Sequence, residues 1–426
     1  MSNIKNIKEQ LINGEKDEAL LTVYTKESLE FQRQRHAEIA DTFAELYGDT
    51  DDVCMFSAPG RTEVGGNHTD HNHGKVLAAS INLDTVAFAA KRDDNIICEK
   101  SAGHGMNKVD VSSLEIDPKE FGHSAALIRG MCAGFKDYGY SYGGFNAAGT
   151  TQVLSGSGLS SSAAFEVLIG TILNYLYNDG KVSPVEIAKI AQYAENKYFN
   201  KPSGLMDQMA CSVGGFISID FKDTANPEIS KIDFDFGATG HSLCIVDTKG
   251  DHANLTDEYA AVRKEMEAVA AVFGKKVLRE VDENEFYSSI AKVRAAAGDR
   301  AVLRATHFYN ENRRVDELKD ALQSGDFEKF KSVITESGHS SYMFNQNVYA
   351  PKQPNVQPVS VALSICERVL KGKGAWRVHG GGFAGTIQAF VPDDMLSEFK
   401  AAIEPVFGDD SCHILKIRSL GGTKLY

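Results

Sequence analysis

The stretch Ser155-Gly156-Ser157-Gly158-Leu159-Ser160-Ser161-Ser162-Ala163-Ala164, with the apolar run FEVLIGTILNYLY at 165–177 after it, decides the fold more than any other part of the sequence. Glycines let a backbone approach a ligand closely, and a helix N-terminus offers unpaired N–H groups and the positive end of a dipole. The stretch therefore predicts a phosphate-binding loop that opens a buried helix. A serine-rich helix cap is the alternative, but it leaves the two glycines unexplained.

This loop matches neither of the two commonest nucleotide-binding patterns. The motif G-x-x-x-x-G-K-[ST] is absent from the sequence. A dinucleotide-binding fold would need Gly or Ala at Ser161 and an acidic residue at a strand end about twenty positions later. Asp179 lies at a predicted helix end instead. The pattern therefore argues against NAD and favours a nucleotide site of another kind.

Helices and strands mix on both sides of the loop. Residues 1–48 have apolar positions at helical spacing, and short apolar runs between Gly, Asn and Asp predict strands from Val53 to about Cys98. Strands return in the second half among several predicted helices. The polar segment 221–240, FKDTANPEIS and the residues after it, predicts a domain boundary. We therefore predict an α+β protein with an N-terminal domain at 1–225 and a C-terminal domain at 226–426.

The composition limits the partners and the compartment. The chain has 426 residues, and 45 Lys+Arg against 58 Asp+Glu give a net charge of −13. Nucleic acids and anionic membranes require clustered basic residues, so neither is expected as a partner. The seven cysteines are odd in number and form no C-x-x-C pair, which favours a reducing cytoplasm. The charged N-terminus predicts no signal peptide, and no run of apolar residues is long enough to span a membrane.

A second cluster of polar residues lies at 60–74, GRTEVGGNHTDHNHG, where the glycines predict a loop. One interpretation is a zinc site that uses His68, His71, His73 and Asp70, although the sequence offers no second group of ligands. The other interpretation is a site for a hydroxyl-rich ligand such as a sugar. In that case Asp and His side chains would bind the hydroxyls, and Arg61 would lie beside the reacting group.

Two later segments complete the candidate site. Glu195 lies on a predicted helix, and the segment 202–209, PSGLMDQM, places Asp207 at a junction between a loop and a helix. A carboxylate at that position either stabilises the helix dipole or acts as an acid or base. The run from Gly380 to Gly385, GGGFAG, lies between predicted strands, and its backbone could approach a phosphate or close over an active site.

These four segments, in this order, resemble the GHMP kinase superfamily and are most similar to the galactokinases within it. The galactokinase pattern G-R-x-N-x-I-G-E-H-x-D-Y is similar to 60–71, and P-x-G-x-G-L-S-S-S-A-A is similar to 155–164. The pattern G-x-x-D-Q matches Gly204 to Gln208, and G-G-G-F-G-G resembles Gly380 to Gly385. The resemblance spans roughly residues 50 to 420 and implies a two-domain fold with mixed sheets and an active site in the cleft between the domains. The helices at 1–48 are extra.

The resemblance also implies a role for each matching residue. Asp207 would be the general base, with Arg61 beside it to keep it ionised and to stabilise charge during transfer. Ser162 and Glu195 would bind Mg²⁺ on the phosphates of ATP. The implied nucleotide-binding residues are Gly156, Ser157, Gly158, Leu159, Ser160, Ser161 and Ser162. The implied sugar-binding residues are Arg61, Asn67, His68, Asp70, Gly204, Asp207 and Tyr259.

The implied activity is that of a sugar 1-kinase, a phosphotransferase with ATP as co-substrate, Mg²⁺ as cofactor and galactose as the first candidate acceptor. Departures from the family pattern keep two alternatives open. The family's Glu is Asn67 here, its Tyr is His71, and its Asn is Glu63. Loss of a carboxylate at 67 would relax the rejection of a C6 carboxylate, which makes galacturonate or another sugar altered at C6 an alternative. A catalytically silent sugar sensor of the same fold is the second alternative.

Overall fold

The computed structural model describes residues 3–154, 158–250 and 255–426. Both halves of the chain contain helices and strands, which confirms the α+β class with mixed sheets. The α-helices are α1 Ile4–Ile12, α2 Asp17–Leu21, α3 Leu29–Tyr47, α4 Ser124–Asp137, α5 Ser161–Tyr177, α6 Pro184–Tyr193, α7 Met206–Val213, α8 Thr256–Val272, α9 Glu283–Ser288, α10 Ile290–Ala297, α11 Asp299–Ser324, α12 Phe327–Ser340, α13 Pro358–Leu370 and α14 Leu396–Phe407. The strands are β1 Cys54–Gly65, β2 Lys75–Lys91, β3 Ile96–Ser101, β4 Met106–Asp110, β5 Phe145–Thr151, β6 Phe216–Asp220, β7 Glu228–Ile232, β8 His241–Asp247, β9 Ala375–His379, β10 Thr386–Pro392, β11 Cys412–Leu415 and β12 Thr423–Lys424.

The larger sheet has the strand order β12-β1-β2-β5-β3-β4, and β6 pairs with β2 and β7 beside this path. Its pairings are antiparallel except for β3 with β5. Strand β1 is buried along almost its whole length, because both faces of the sheet are covered. Phe56 and Ala58 pack with α4, α5 and α6, whereas the alternate residue Met55 packs with α1 and α3.

The smaller sheet has the order β11-β8-β10-β9 and is antiparallel throughout. Alternation along β8 again divides the side chains between two faces. Cys244 and Val246 pack with residues of α13 and α14. Leu243 and Ile245 belong to a cluster that includes Phe330 of α12 and residues of the larger sheet, such as Leu77. The two sheets are therefore joined through a continuous apolar core.

Helices α1 to α3 pack on the larger sheet, on the face opposite to α5. Polar contacts between these helices and the sheet converge on Asp84 of β2, whose side chain is completely buried. Arg35 Nη1 of α3 donates to Asp84 Oδ1 at 2.8 Å, and Tyr24 Oη donates to Oδ2 at 2.7 Å. Arg418 Nη1, near the C-terminus, lies 3.2 Å from the same Oδ2. This buried carboxylate therefore links the N-terminal helices, the sheet and the end of the chain.

Two segments differ from the prediction. The polar segment at 221–240 contains β7, in which only Ile232 is buried and which pairs with β6 at the sheet edge. The helix predicted around Glu195 is α-helical only as far as Tyr193, and Glu195 itself lies in a π-helical turn at Ala194–Tyr198. Strands β7 and β12 both belong to the larger sheet although they follow residue 226. The boundary between 225 and 226 stays a prediction.

All seven cysteines are free, and six of them are buried. Burial raises the pKa of the Cys132 thiol to about 12, so that thiol stays protonated at neutral pH. Within the described residues, no helix combines the length and the apolar character needed to cross a bilayer. The described part of the fold is therefore held by packing, hydrogen bonds and buried ion pairs.

Candidate active site

The end of β1 and the loop before α5 are fixed to each other by backbone contacts. Arg61 N donates to Leu159 O at 3.0 Å. Gly60 is required at this point, because a Cβ added to it would lie 2.8 Å from the same carbonyl oxygen. The Arg61 guanidinium also donates to the carbonyl oxygen of Gly158. These contacts place the Arg61 side chain at the mouth of the predicted phosphate loop.

Arg61 and Asp207, the predicted catalytic pair, form a two-pronged ion pair. Arg61 Nε lies 2.8 Å from Asp207 Oδ1, and Nη2 lies 2.7 Å from Oδ2. The Ser160 hydroxyl donates to Oδ2 as well. The Arg61 side chain is 10% exposed and that of Asp207 is 34% exposed. The carboxylate is thus held rigidly while one side stays open to a ligand.

The surroundings of Asp207 keep it ionised. Burial alone would raise the pKa of this carboxyl, but the charge of Arg61 and hydrogen bonds from Arg61 and Ser160 outweigh burial and hold the pKa below its ordinary value. The group is therefore a carboxylate at neutral pH, ready to accept a proton from a hydroxyl placed against its open side.

The loop itself turns sharply into α5. Ser160 has φ +61°, in the left-handed region, and α5 begins at the next residue. Leu159 is fully buried, which anchors the loop, and Ser161 and Ser162 form the first turn of the helix. Gly156 and Ser157, also predicted to bind the nucleotide, lie outside the described residues. The described part has the shape expected of an anion-binding helix N-terminus.

The two predicted metal ligands face each other. Ser162 Oγ lies 3.3 Å from Glu195 Oε1, and the Glu195 side chain is 2% exposed within the π-helical turn. Gln208 Nε2 donates to Glu195 Oε2 at 2.7 Å and to Glu166 Oε2 at 3.2 Å, and Glu166 Oε1 is buried without a partner. Hydroxyl and carboxylate oxygens are the ligands that Mg²⁺ prefers, so these residues fit a magnesium ion that also binds phosphate oxygens.

Glu166 is a less suitable ligand than Glu195. Burial and then the negative charge of Glu195 raise the pKa of Glu166 well above its ordinary value. Lys201 Nζ, in contrast, lies 2.6 Å from Glu195 Oε1 and partly neutralises that carboxylate. Of the two carboxyl groups, Glu195 is therefore the better metal ligand beside Ser162.

The predicted sugar-binding residues meet between α7 and the glycine run after β9. Asp70 Oδ2 would lie 3.1 Å from a Cβ added to Gly204, just before α7. His68 Nε2 lies 3.0 Å from Gly381 O, and Tyr259 Oη donates to Gly382 O at 3.1 Å. These contacts bring His68 and Tyr259 against the glycine run and Asp70 against Gly204, and their common role as a sugar site stays a prediction.

Asn67 is placed differently from the other predicted sugar ligands. Its side chain is 1% exposed and donates to Glu63 Oε1 at 2.9 Å and to Gly380 O at 2.7 Å. Its oxygen accepts from Asn347 Nδ2 at 2.9 Å. Arg377, fully buried, donates to the same Glu63 Oε1 at 2.8 Å. Asn67 therefore positions the loop in this structure, and its direct contact with a sugar stays a prediction.

The zinc hypothesis lacks a ligand set. Among the described residues, no group of three or more His, Cys, Asp or Glu side chains is arranged to bind a metal ion. Burial, followed by the charge of His68, holds the pKa of His71 well below its ordinary value. The two rings pack at 5.7 Å between centroids. These histidines are neighbours in a polar loop.

Lys201 and the Glu63–Arg377 pair were missed by sequence reasoning. Lys201 follows Glu195 by six residues and belongs to no motif, so nothing in the sequence indicated its ion pair. Glu63 carried a signal, because it stands where the family pattern has Asn, while Asn67 stands where the pattern has Glu. The two departures are in direct contact, because Asn67 Nδ2 donates to Glu63 Oε1 at 2.9 Å.

A cavity of about 210 Å³ opens beside the first turn of α5. Its walls combine apolar and polar side chains, including Leu127, Phe165, Phe199, Glu99, Asn107 and Ser162. Asn107 Nδ2 and Ser101 Oγ each donate to Glu99 at 2.6 Å, forming a polar side to an otherwise apolar space. A flat heterocyclic ring would fit such a cavity.

Comparisons with known proteins agree on one family. Residues 41–91 match the galactokinase galactose-binding signature, and residues 126–215 match the N-terminal domain of GHMP kinases. Galactokinase from Streptomyces coelicolor is 30% identical over 372 residues, which cover 87% of this chain and 92% of that protein. Galactokinase from Actinobacillus pleuropneumoniae serotype 3 is 32% identical over 369 residues, which cover 85% of this chain and 91% of that protein.

Solved structures give the same result. The crystal structure of Lactococcus lactis galactokinase complexed with galactose superposes with a TM-score of 0.75 and 27% identity. It covers 90% of this chain, and the match covers 98% of that protein. A mevalonate kinase superposes with a TM-score of 0.59 at 16% identity, over 85% of this chain and 98% of that one, which shows the common fold alone.

Proposed function

Since the chain belongs to the galactokinase family of GHMP kinases, we propose that it transfers the γ-phosphoryl group of ATP to the anomeric hydroxyl of galactose. The products would be ADP and α-galactose 1-phosphate. The observation that carries the proposal is the Arg61–Asp207 ion pair, held against the phosphate loop by Gly158 and Ser160. It combines a fixed proton acceptor and a fixed positive charge at the point where phosphate and sugar would meet.

In this proposal, Asp207 accepts the proton of the anomeric hydroxyl while that oxygen attacks the γ-phosphorus in line with the leaving ADP. Arg61 keeps Asp207 ionised and lies beside the charge that develops on the transferred group. Phosphoryl transfer needs little covalent chemistry from a protein and depends on positioning and electrostatic stabilisation. The two contacts between Arg61 and Asp207 supply that positioning.

Ser162 and Glu195 would hold Mg²⁺, and the ion would supply neutralisation of charge on the donor phosphates. Their 3.3 Å separation and the burial of Glu195 support this assignment. The backbone from Gly158 to Ser162 would bind the phosphates. The adjoining 210 Å³ cavity, with its aromatic walls, would take the nucleobase.

His68, Asp70, Gly204 and Tyr259 would line the sugar site. Galactose is favoured over a sugar with a C6 carboxylate, because the relatives that cover most of this chain are galactokinases. Glu63 keeps a buried carboxylate beside Asn67, which is in line with that preference. Free cysteines throughout the chain support a cytoplasmic location, the reducing compartment.

The proposal is tested by measuring sugar-dependent release of ADP from ATP and Mg²⁺. Galactose, galacturonate, N-acetylgalactosamine, arabinose and glucose would be compared at equal concentration. We expect turnover on galactose to exceed that on galacturonate. Turnover on galacturonate alone would refute the assignment of the sugar, and ATP that is bound but never consumed with any sugar would favour the silent sensor.

A first prediction concerns the pH dependence of kcat. In the wild type, the acid limb should lie below the ordinary carboxylate pKa of about 3.9, because Arg61 depresses the pKa of Asp207. In Arg61→Gln, the burial of Asp207 is no longer opposed by that charge, so the acid limb should move to higher pH. The overall rate should also fall about 10²–10³-fold. The measurement is kcat against pH for both proteins.

Arg294→Gln is the matched control, since it removes an exposed arginine that pairs with Asp299 far from the site. It should keep the wild-type profile. An acid limb at the same pH in Arg61→Gln and wild type would show that Arg61 does not set the ionisation of Asp207.

A second prediction concerns the exchange between Glu63 and Asn67. Asn67→Glu alone should destabilise the protein, because it places a second carboxylate against Glu63 in a buried space. Glu63→Asn alone leaves Arg377 buried without its carboxylate. The double variant Glu63→Asn/Asn67→Glu should recover most of the loss, with a coupling free energy of about 1–3 kcal/mol. Urea unfolding of the wild type, the two single variants and the double variant measures this coupling free energy. If the loss in the double variant equals the sum of the two single losses within about 0.5 kcal/mol, Glu63 and Asn67 are not coupled.

A further inference from the structure

The ammonium group of Lys201 occupies an unusual place in the phosphoryl-transfer site. Its Nζ lies 2.6 Å from Glu195 Oε1, the same oxygen that Ser162 Oγ approaches at 3.3 Å. Ammonium and hydroxyl thus converge on one carboxylate oxygen. No sequence motif contains this lysine, and the proposed reaction as described above does not use it.

The two side chains of this ion pair differ in how tightly the protein holds them. The Glu195 side chain is 2% exposed and is also held by Gln208 through its other oxygen. The Lys201 side chain is 55% exposed, on a loop that begins after Asn200, whose φ is +63°. A lysine carries its charge on a flexible four-carbon stem. The carboxylate is therefore fixed, and the ammonium group is able to move.

Arrival of a metal–nucleotide complex changes the electrostatics of this pair. A divalent cation on Glu195 and Ser162 would repel an ammonium group on the same oxygen, since charges a few ångströms apart interact strongly in a partly buried site. The displaced ammonium then needs another anion. Glu166 is unsuitable, because its side chain is fully buried and already accepts from Gln208, and Asp207 is already paired with Arg61. The phosphate oxygens of the donor are the remaining partners.

We propose that Lys201 is a phosphate-binding residue for the nucleotide donor, which rests on Glu195 until the metal–nucleotide complex arrives and then moves to the donor phosphates. The proposal rests on the proposed function, because it assumes a nucleoside triphosphate at the loop before α5. It adds a second cation to the site besides Arg61. It also couples metal binding at Glu195 to capture of the phosphates.

Binding without turnover tests this role. Lys201→Met would be compared with Lys197→Met, which removes an equal charge from the π-helical turn just before the loop, where the ammonium lies over the Tyr193 ring at 4.7 Å. Calorimetry with Mn²⁺ and the non-hydrolysable analogue AMP-PNP should show affinity about 10- to 100-fold lower for Lys201→Met, the value of a charged hydrogen bond. Lys197→Met should bind like the wild type, and Lys201→Arg should restore most of the affinity.

Titration with Mn²⁺ alone tests the resting position of Lys201 on Glu195, separately from its position on the donor phosphates. Without nucleotide, Lys201→Met should bind Mn²⁺ more tightly than the wild type, because the competing ammonium is gone. Equal AMP-PNP affinity in Lys201→Met and Lys197→Met would overturn the proposal and make Lys201 a counter-ion of Glu195 only. Because no sugar is present, this result is independent of galactose turnover by the wild type, which tests the proposed function itself.

Discussion

Replacing Asp207 by asparagine should remove most phosphoryl transfer while both substrates still bind. The amide has nearly the same size as the carboxylate and keeps one oxygen for Arg61, so the site should stay assembled. It cannot accept a proton from the anomeric hydroxyl, and loss of a general base lowers rates about 10²–10⁴-fold. The measurement is kcat for galactose, together with the affinity for AMP-PNP and Mg²⁺ by calorimetry.

Asp220→Asn is a suitable control for this variant. Asp220 also forms an ion pair with an arginine, Arg279, at 2.7 Å, and its side chain is 20% exposed. It lies at the end of β6, outside the set of site residues. We expect its kcat to stay near that of the wild type. A kcat for Asp207→Asn within tenfold of the wild type would remove Asp207 from the role of base.

The second large effect is expected on stability, at Asp84. Asp84→Asn should lower the free energy of unfolding by about 3–5 kcal/mol, because it leaves Arg35 and Arg418 buried without their carboxylate. The new amide group also adds donors where Tyr24 and both arginines already donate. Urea unfolding at neutral pH measures the change. A loss of less than 1 kcal/mol would show that Asp84 is not the attachment point of the N-terminal helices.

Asp17→Asn provides the comparison on the protein surface. Asp17 pairs with Arg33 within the same N-terminal helices, but both side chains are about one-quarter exposed. Exposed ion pairs contribute about 0–1 kcal/mol, so this variant should unfold almost like the wild type. The contrast between the two variants isolates the effect of burial.

The stability contributed by Asp84 should depend on pH in a defined direction. Burial would raise the pKa of this carboxyl, but the charges of Arg35 and Arg418 outweigh burial and lower it. A lowered pKa in the folded state stabilises the protein above the pKa of the unfolded chain, about 3.9. That stabilisation is lost as the pH falls through the pKa of the folded state. Asp84→Asn should lack this part of the acid dependence.

The sequence predicted the main elements because their signals are local. The phosphate loop and α5, the strands after Val53, and α8 at 256–272 follow from apolar spacing and glycine placement. Strand β7 was missed because its residues are polar and its stability comes from pairing with β6. The π-helical turn at Glu195 was missed because its departure from α-helical geometry follows from tertiary packing: Ala194 lies within 2.8 Å of the position that a Cβ of Gly130 would occupy.

The candidate site was predictable where a motif carries chemistry and unpredictable where contacts depend on the fold. Arg61 and Asp207 lie 146 positions apart, and only the resemblance to a family joined them before the structure placed them together. Asn67 was interpreted as one substitution in a motif. Spacing in the sequence does not indicate its hydrogen bond to Glu63. It also does not indicate the contact of Glu63 with Arg377, which lies 314 positions away. No motif or spacing pattern in the sequence indicates the ion pair between Lys201 and Glu195.

The measurement that tests the account most directly is ³¹P NMR of the product formed from galactose, ATP and Mg²⁺. We expect a phosphomonoester signal that is coupled to the anomeric proton of an α-sugar, is equal in amount to the ADP produced, and forms at least about 100-fold more slowly with Asp207→Asn. A phosphate coupled to the protons of C6, or release of inorganic phosphate without a sugar phosphate, would contradict it.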